Sequence, residues 1–305
     1  MVNITSTGNG QEFDRSNMVY AMIFGCIVLF GLPLNAVSLW ILIRRHSNRC
    51  PSAVFMINLA ISDLLLVISL PMIVYFHATG LWPFGVMVCV WITMLFRNNI
   101  RSSAIFITCI CVDRLLALVF PLTTQHLRTT SNASKACIFV WLFILAVSIP
   151  ESIDFIRSMR ICNATSCFGN VACQQQKHWT AYMQSVLVFS MLVVNIVSTG
   201  FMSWTLHKHL NDSVKVNSGM NVMLIFVVNL VMFVVFFSPL SVALLITNGK
   251  HAIKPTVCLA SLNCCLDPLF YYFSLDGFWK EKENEWSAFK TTAAEFREQS
   301  LESKL

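Results

Sequence analysis

Residues 51–76, PSAVFMINLAISDLLLVISLPMIVYF, decide how the rest of the chain is read. At about 1.5 Å per residue the stretch is long enough to cross a hydrocarbon layer of about 30 Å. It carries one residue charged at neutral pH, Asp63, near its middle. A carboxylate at that depth persists where it faces a bundle interior or a wet cavity. The stretch therefore reads as one membrane helix packed among others, bent in its outer half by Pro71.

Working outward, the 305-residue chain is 56% hydrophobic and only 12% charged, with a mean hydropathy of +0.67. Soluble domains carry about 25% charged residues. Apolar stretches of spanning length fall near 18–44, 53–77, 87–119, 136–152, 180–209, 220–247 and 253–275. The expected fold is an all-α membrane protein, a seven-transmembrane helix bundle over 18–275, with a polar N-terminus (1–17) and a tail (276–305). The first apolar run is too long for the core of a cleavable signal peptide and is expected to act as an uncleaved anchor. In the tail, Phe278, Trp286 and Phe289 fall at helical spacing among charges. That pattern predicts an amphipathic helix over 276–290 lying along the inner surface of the membrane.

Positive charge sets the orientation. Arg44, Arg45 and Arg49 follow the first span, Arg114, Arg128 and Lys135 surround the loop after the third, and Lys280, Lys282, Lys290 and Arg297 follow the seventh. These loops share the cytoplasmic side, which puts the N-terminus outside, although Arg157, Arg160, Lys177, Lys250 and Lys254 lie on the opposite face. The sequons at Asn3 and Asn163 then fall outside and are expected to be glycosylated, while those at Asn132 and Asn211 fall inside. The net charge of +6 suits loops beside anionic lipid and calls for no nucleic acid.

Cys89 lies at the outer start of the third span, with Cys162, Cys167 and Cys173 in the outer loop after the fourth. An oxidising exterior permits a disulfide from Cys89 to any of those three. No cysteine spacing suits a metal site, and the seven histidines stand apart from any nucleophile, so no enzyme constellation is present. A transporter would be expected to show internal repeats and broken helices.

Polar and kinking residues recur, one set per span. They are Asn58-Leu-Ala-x-x-Asp63 in the second, Asp113-Arg114 at the inner end of the third, and Trp141 with Pro150 in the fourth. Phe233-x-x-x-Phe237-x-Pro239 follows in the sixth and Asp267-Pro268-x-x-Tyr271 in the seventh. With Trp82-Pro-Phe-Gly in the first outer loop and Cys89 25 residues before Arg114, the chain resembles a rhodopsin-like (class A) G-protein-coupled receptor over nearly its whole length. Within that class it is similar to the branch of purinoceptor-like and lysophospholipid receptors.

The resemblance implies a cell-surface receptor that activates a heterotrimeric G protein. It also implies roles for particular residues. Asn35, Asp63, Asn99, Ser103, Asn263 and Asp267 would form a polar core that holds a sodium ion at rest. Phe237 would be a rotamer switch beneath the ligand, with Phe233 below it and the kink at Pro239 above. Arg114 would engage the G protein, Asp113 would restrain it at rest, and Tyr271, after Pro268, would swing inward to support the open state. Cys89 would bond to Cys167, whose neighbour Phe168 matches the Cys-Phe pattern of the branch.

The chain departs from the family pattern in places. Leu34 stands before Asn35 where Gly is usual, Leu115 follows Asp-Arg, Val194 and Met202 stand near the positions of a proline and a tyrosine in the fifth span, and the sixth begins without a basic cluster. These departures keep a second reading open, a seven-helix protein that does not signal: a scavenger, a heteromer partner or a decayed paralogue.

The third span holds TMLFRNNIRSSAIF (93–106), which places Arg97 and Arg101 on one helical face. They lie about 12 and 18 Å below Cys89 along the axis, at the depth where the resemblance puts a ligand pocket. Two readings stand. In one, forked guanidinium groups grip a phosphate, sulfate or carboxylate. In the other, Glu151, with Asp154 a turn further out, neutralises Arg101 internally, leaving one positive charge spare. Asn98 beside them reads as a helix-packing residue. Phe96 takes the place of the aspartate of amine receptors, and no lysine lies at mid-depth in the seventh span for a retinal Schiff base. Ser241 and Leu244 replace the basic residues of nucleotide receptors. An acidic lipid is the ligand class these residues favour.

Overall fold

The computed structural model describes residues 7–45, 50–120, 123–161, 167, 179–208, 216–246 and 252–268. Helices α1 (Thr7–Arg45), α2 (Pro51–Thr79), α3 (Gly85–Val119), α4 (Thr130–Ile161) and α5 (Trp179–Lys208) are followed by α6 (Val216–Phe236), α7 (Ser238–Leu245) and α8 (252–268). Helices α6 and α7 are the two halves of the expected sixth span, and α8 is the described part of the seventh. Six stretches among the described residues are long and apolar enough to cross a membrane.

The expected boundaries moved most at the start of α1 and the end of α4. Helix α1 begins at Thr7 rather than 18, because a formed helix extends outward one hydrogen bond per residue without a new nucleus. Helix α4 runs through Pro150 to Ile161 rather than stopping at 152. A proline removes one hydrogen bond and bends a membrane helix without ending it when neighbouring helices support the bend. This extension carries Asp154, as well as Glu151, on the helix. The tail helix expected over 276–290, Tyr271 and both outer sequons lie outside the described residues.

Helix α3 is central, touching α2, α4, α5 and α6, while α1 packs mainly on α2. Burial follows that order: α2 and α3 are buried over more than half of their most apolar stretch, α1 over less than a quarter. Phe106, Phe233, Phe237, Leu59, Leu66 and Ile110 form the interior, whereas Leu29, Trp40, Phe139 and Leu142 face outward, as lipid-facing side chains do. Gly31 supplies a close approach of α1: a Cβ there would lie 3.2 Å from Val67 Cγ2 and 3.4 Å from Cys265 Sγ. The glycine usual at position 34 is thus replaced by one a turn earlier. Gly80, at φ 69°, ends α2 by donating its N–H to the Phe76 carbonyl at 2.8 Å, a left-handed cap that glycine adopts without strain.

The break between α6 and α7 falls at Phe237, two residues before Pro239, which has no N–H to give and whose ring displaces the preceding turn. The chain still holds across it through Phe237 N to Phe233 O at 3.1 Å and Ser241 N to Phe237 O at 3.3 Å. The two phenylalanine rings, fully buried, meet with centroids 5.1 Å apart.

Candidate functional site

The outer site is built on α3. Arg97 and Arg101, one turn apart, both point toward the junction with α4 and α5. Glu151 comes from α4, one residue past Pro150, and its carboxylate lies between them. Arg97 Nη1 pairs with Oε1, and Arg101 Nη1 lies 2.8 Å from Oε2. The internal ion pair of Arg101 with Glu151, the second of the two readings, is present, and it takes in Arg97 as well. A single turn separates the two guanidinium groups, and a carboxylate has two oxygens, so one acid serves both.

Gln184 on α5, which the sequence reading missed, completes the cluster. Arg101 Nε donates to Gln184 Oε1 at 2.9 Å, and Arg101 Nη1 reaches Asn98 Oδ1 at 3.4 Å. Ser148, three residues before Glu151 and hence on the same face of α4, sets its hydroxyl 2.6 Å from Asn98 Oδ1. Asn98 thus packs helices, as read, and also touches Arg101. The signal for Gln184 was present: it is a polar residue in the apolar outer half of a span, which rarely persists without a partner.

Exposure separates the two arginines. The side chains of Arg101 and Glu151 are each 3% exposed, while that of Arg97 keeps 32%. Two cations and one anion leave one net positive charge, and the accessible part of it is on Arg97. Gln184 Nε2, also buried, has no hydrogen-bond partner among the described residues. Buried N–H groups are almost always paired. Phe96 is turned away from this cluster, packing edge-on against Phe24 with centroids 6.5 Å apart.

The outer end is fixed by the Cys89–Cys167 disulfide. Of the three pairings that the sequence left open, this is the one the resemblance favoured.

Deeper, Asp63 is fully buried on α2 and accepts from Asn99 Nδ2 at 2.9 Å. Asn263 Nδ2 donates to Asp267 Oδ2 at 2.6 Å, and Asn35 Nδ2 donates to the Gly31 and Cys264 carbonyls at 3.0 and 2.7 Å. Ser103 Oγ, Asn35 Oδ1 and Asn263 Oδ1 are buried without a partner among the described residues, and Asp63 also faces the Asp267 carboxyl. Lower still, Trp141 Nε1 donates to Asn58 Oδ1 at 2.9 Å, tying α4 to α2.

At the inner end Asp113 is held from two sides. Ser52 of α2 donates to Oδ2, and Arg128, in the segment between α3 and α4, sets Nε 3.0 Å from Oδ1. Arg114 beside it is buried. The sequence placed Asp113 against Arg114 alone. Ser52 and Arg128 escaped notice because each lies far from Asp113 along the chain.

Comparison with known proteins bears directly on this arrangement. The family described as "7 transmembrane receptor (rhodopsin family)" matches residues 34–271. The chain belongs to that family. The receptor is 33% identical over 298 residues to lysophosphatidic acid receptor 6 of Gallus gallus, an alignment covering 90% of this chain and 95% of that protein. It is 32% identical over 292 residues to lysophosphatidic acid receptor 4 of Homo sapiens (88% and 76% covered). It is 29% identical over 276 residues to purinoceptor 8 of Gallus gallus (85% and 77%). The receptor is therefore a multi-pass plasma-membrane protein of the purinoceptor and lysophospholipid branch that takes an extracellular ligand and couples to G proteins. It is not an enzyme, and the non-signalling alternative is not favoured.

Proposed function

We propose that the receptor responds to an extracellular anionic small molecule, an acidic lipid, whose headgroup is held at Arg97 with Arg101 and Gln184 behind it. The observation that carries this reading is the partial exposure of Arg97 in a cluster with one uncompensated positive charge. A guanidinium at that depth, only half neutralised, is stabilised by a further anion. Several of the curated relatives are named for a lysophosphatidic acid, an anionic lipid, which agrees with the chemistry of the cluster. Phe237, on the floor of the bundle's outer half, is the residue through which the ligand would bias the α6–α7 bend. Binding that favours the open arrangement over the closed one shifts the population toward the form in which Arg114 engages the G protein, with Tyr271 supporting it.

The inner polar core would hold a sodium ion as an allosteric modulator. Asp63, Asn99, Ser103, Asn263 and Asp267 offer the donor set, and the facing carboxyls of Asp63 and Asp267 with the buried oxygens of Ser103 and Asn263 are hard ligands of the kind such a cation takes. Asn3 and Asn163 are the proposed glycosylation sites.

The test is G-protein activation in cells exposed to a panel of acidic lipids, comparing the wild type with Arg97→Ala and Arg114→Ala at matched surface expression. Loss of one charge-assisted contact of about 1.5–3 kcal/mol lowers potency roughly 10- to 100-fold in Arg97→Ala, while Arg114→Ala removes the response. An Arg97→Ala receptor with wild-type potency for every active lipid defeats the headgroup assignment.

A further inference from the structure

Glu151 does more than neutralise charge: it sets how much charge the site accepts. The carboxylate is buried, contacts both arginines, and is the sole ionic partner of either among the described residues. Its presence lowers the cluster from two net positive charges to one. Among the described residues, Gln184 Nε2 is a buried neutral donor of this cluster without an acceptor. A neutral donor beside one net positive charge matches a headgroup that carries a single negative charge and further oxygens needing only hydrogen bonds. A phosphomonoester, at close to two negative charges at neutral pH, would leave a surplus negative charge in a half-buried site next to the Glu151 carboxylate.

We propose that this receptor selects a monoanionic lipid headgroup, a carboxylate or phosphodiester, over a phosphomonoester, and that Glu151 is the residue that enforces the choice. The inference rests on the assignment of the headgroup to Arg97. On this view the receptor differs from relatives named for lysophosphatidic acid by the charge of the headgroup that it admits. Asp154, a turn further out on α4, makes no ion pair with either arginine, and its charge would act in the same direction as that of Glu151.

The probes are a matched pair: an oleoyl glycerol phosphomonoester and its methyl phosphodiester, with oleoyl glycerol as the uncharged control. G-protein activation is read in the full-length receptor at matched surface expression. In the wild type the diester is expected to be more potent than the monoester by about 10-fold or more, since an unbalanced unit charge a few ångströms away in a medium of intermediate dielectric weighs at least that much. Glu151→Gln keeps the shape and one acceptor while raising the net charge to two, and is expected to reverse the order. Gln184→Lys raises the charge without altering Glu151 and is expected to shift the ratio the same way, which keeps the test decisive should Glu151→Gln fail to reach the surface. A wild type that responds to both lipids through Arg97 but prefers the monoester, or a ratio unmoved in both variants, overturns the charge rule and leaves the headgroup assignment standing. Responses to both lipids that survive Arg97→Ala unchanged, or no response to either, overturn the assignment beneath it.

Discussion

Replacing Glu151 by alanine tests the outer cluster by stability alone, without any ligand. The substitution leaves Arg101, 3% exposed, without its anion and beside a second cation. Two guanidinium groups on side chains one helical turn apart, about 5–6 Å between Cβ atoms, repel by roughly 2–3 kcal/mol at an effective dielectric constant of about 20. Breaking a buried ion pair from one side carries a penalty of about 3–5 kcal/mol. Arg97, 32% exposed, is solvated and adds little, so the total stays at about 3–5 kcal/mol. Glu151→Gln should lie between wild type and Glu151→Ala, because an amide oxygen still accepts from one arginine. The double variant Arg101→Leu/Glu151→Leu should recover most of the loss, since well-packed apolar residues replace a buried pair at little or no penalty. The assay is thermal unfolding of the detergent-purified receptor, followed by Trp fluorescence at fixed ionic strength. A Glu151→Ala receptor within about 0.5 kcal/mol of wild type, the range of an ordinary surface substitution, would refute the reasoning. So would a double variant less stable than Glu151→Ala.

At the inner end, Arg128→Ala and Ser52→Ala each free an oxygen of the Asp113 carboxylate to restrain Arg114 and should lower basal G-protein activation. The decrease should be larger for Arg128, whose contact is ionic, and a basal signal that rises or stays unchanged in both would refute this role. Cys89→Ser and Cys167→Ser should lose stability equally, by about 2–5 kcal/mol, and the double variant should lose no more than either single one. Asp63→Asn should abolish the dependence of agonist potency on sodium concentration, measured by substituting sodium with a large organic cation. Trp141→Phe should lower the unfolding free energy by about 0.5–1.5 kcal/mol through the lost bond to Asn58, and an unchanged melt would mean that this link between α2 and α4 contributes nothing.

The sequence by itself determined the number of spans, their order, and the membrane setting. Length and hydropathy are local properties: a stretch such as 51–76 must form a helix because lipid offers its backbone no other hydrogen-bond partners. Residues recognised by type and order, such as Asp63 with Asn99, Phe233 with Phe237, and Cys89 with Cys167, came together as expected. What sequence could not decide was how each helix is rotated and how far it runs past its prolines. The bridging of both arginines by Glu151 depends on α4 continuing through Pro150, and the role of Gln184 on which face α5 presents to α3. Asp113 meets Arg128 and Ser52 because the segment after α3 folds back beside the start of α2. A polar residue in an apolar helix announces that it needs a partner. Only the packing of helices distant in sequence names which one, because that partner is fixed by rotation about axes along which hydropathy barely varies.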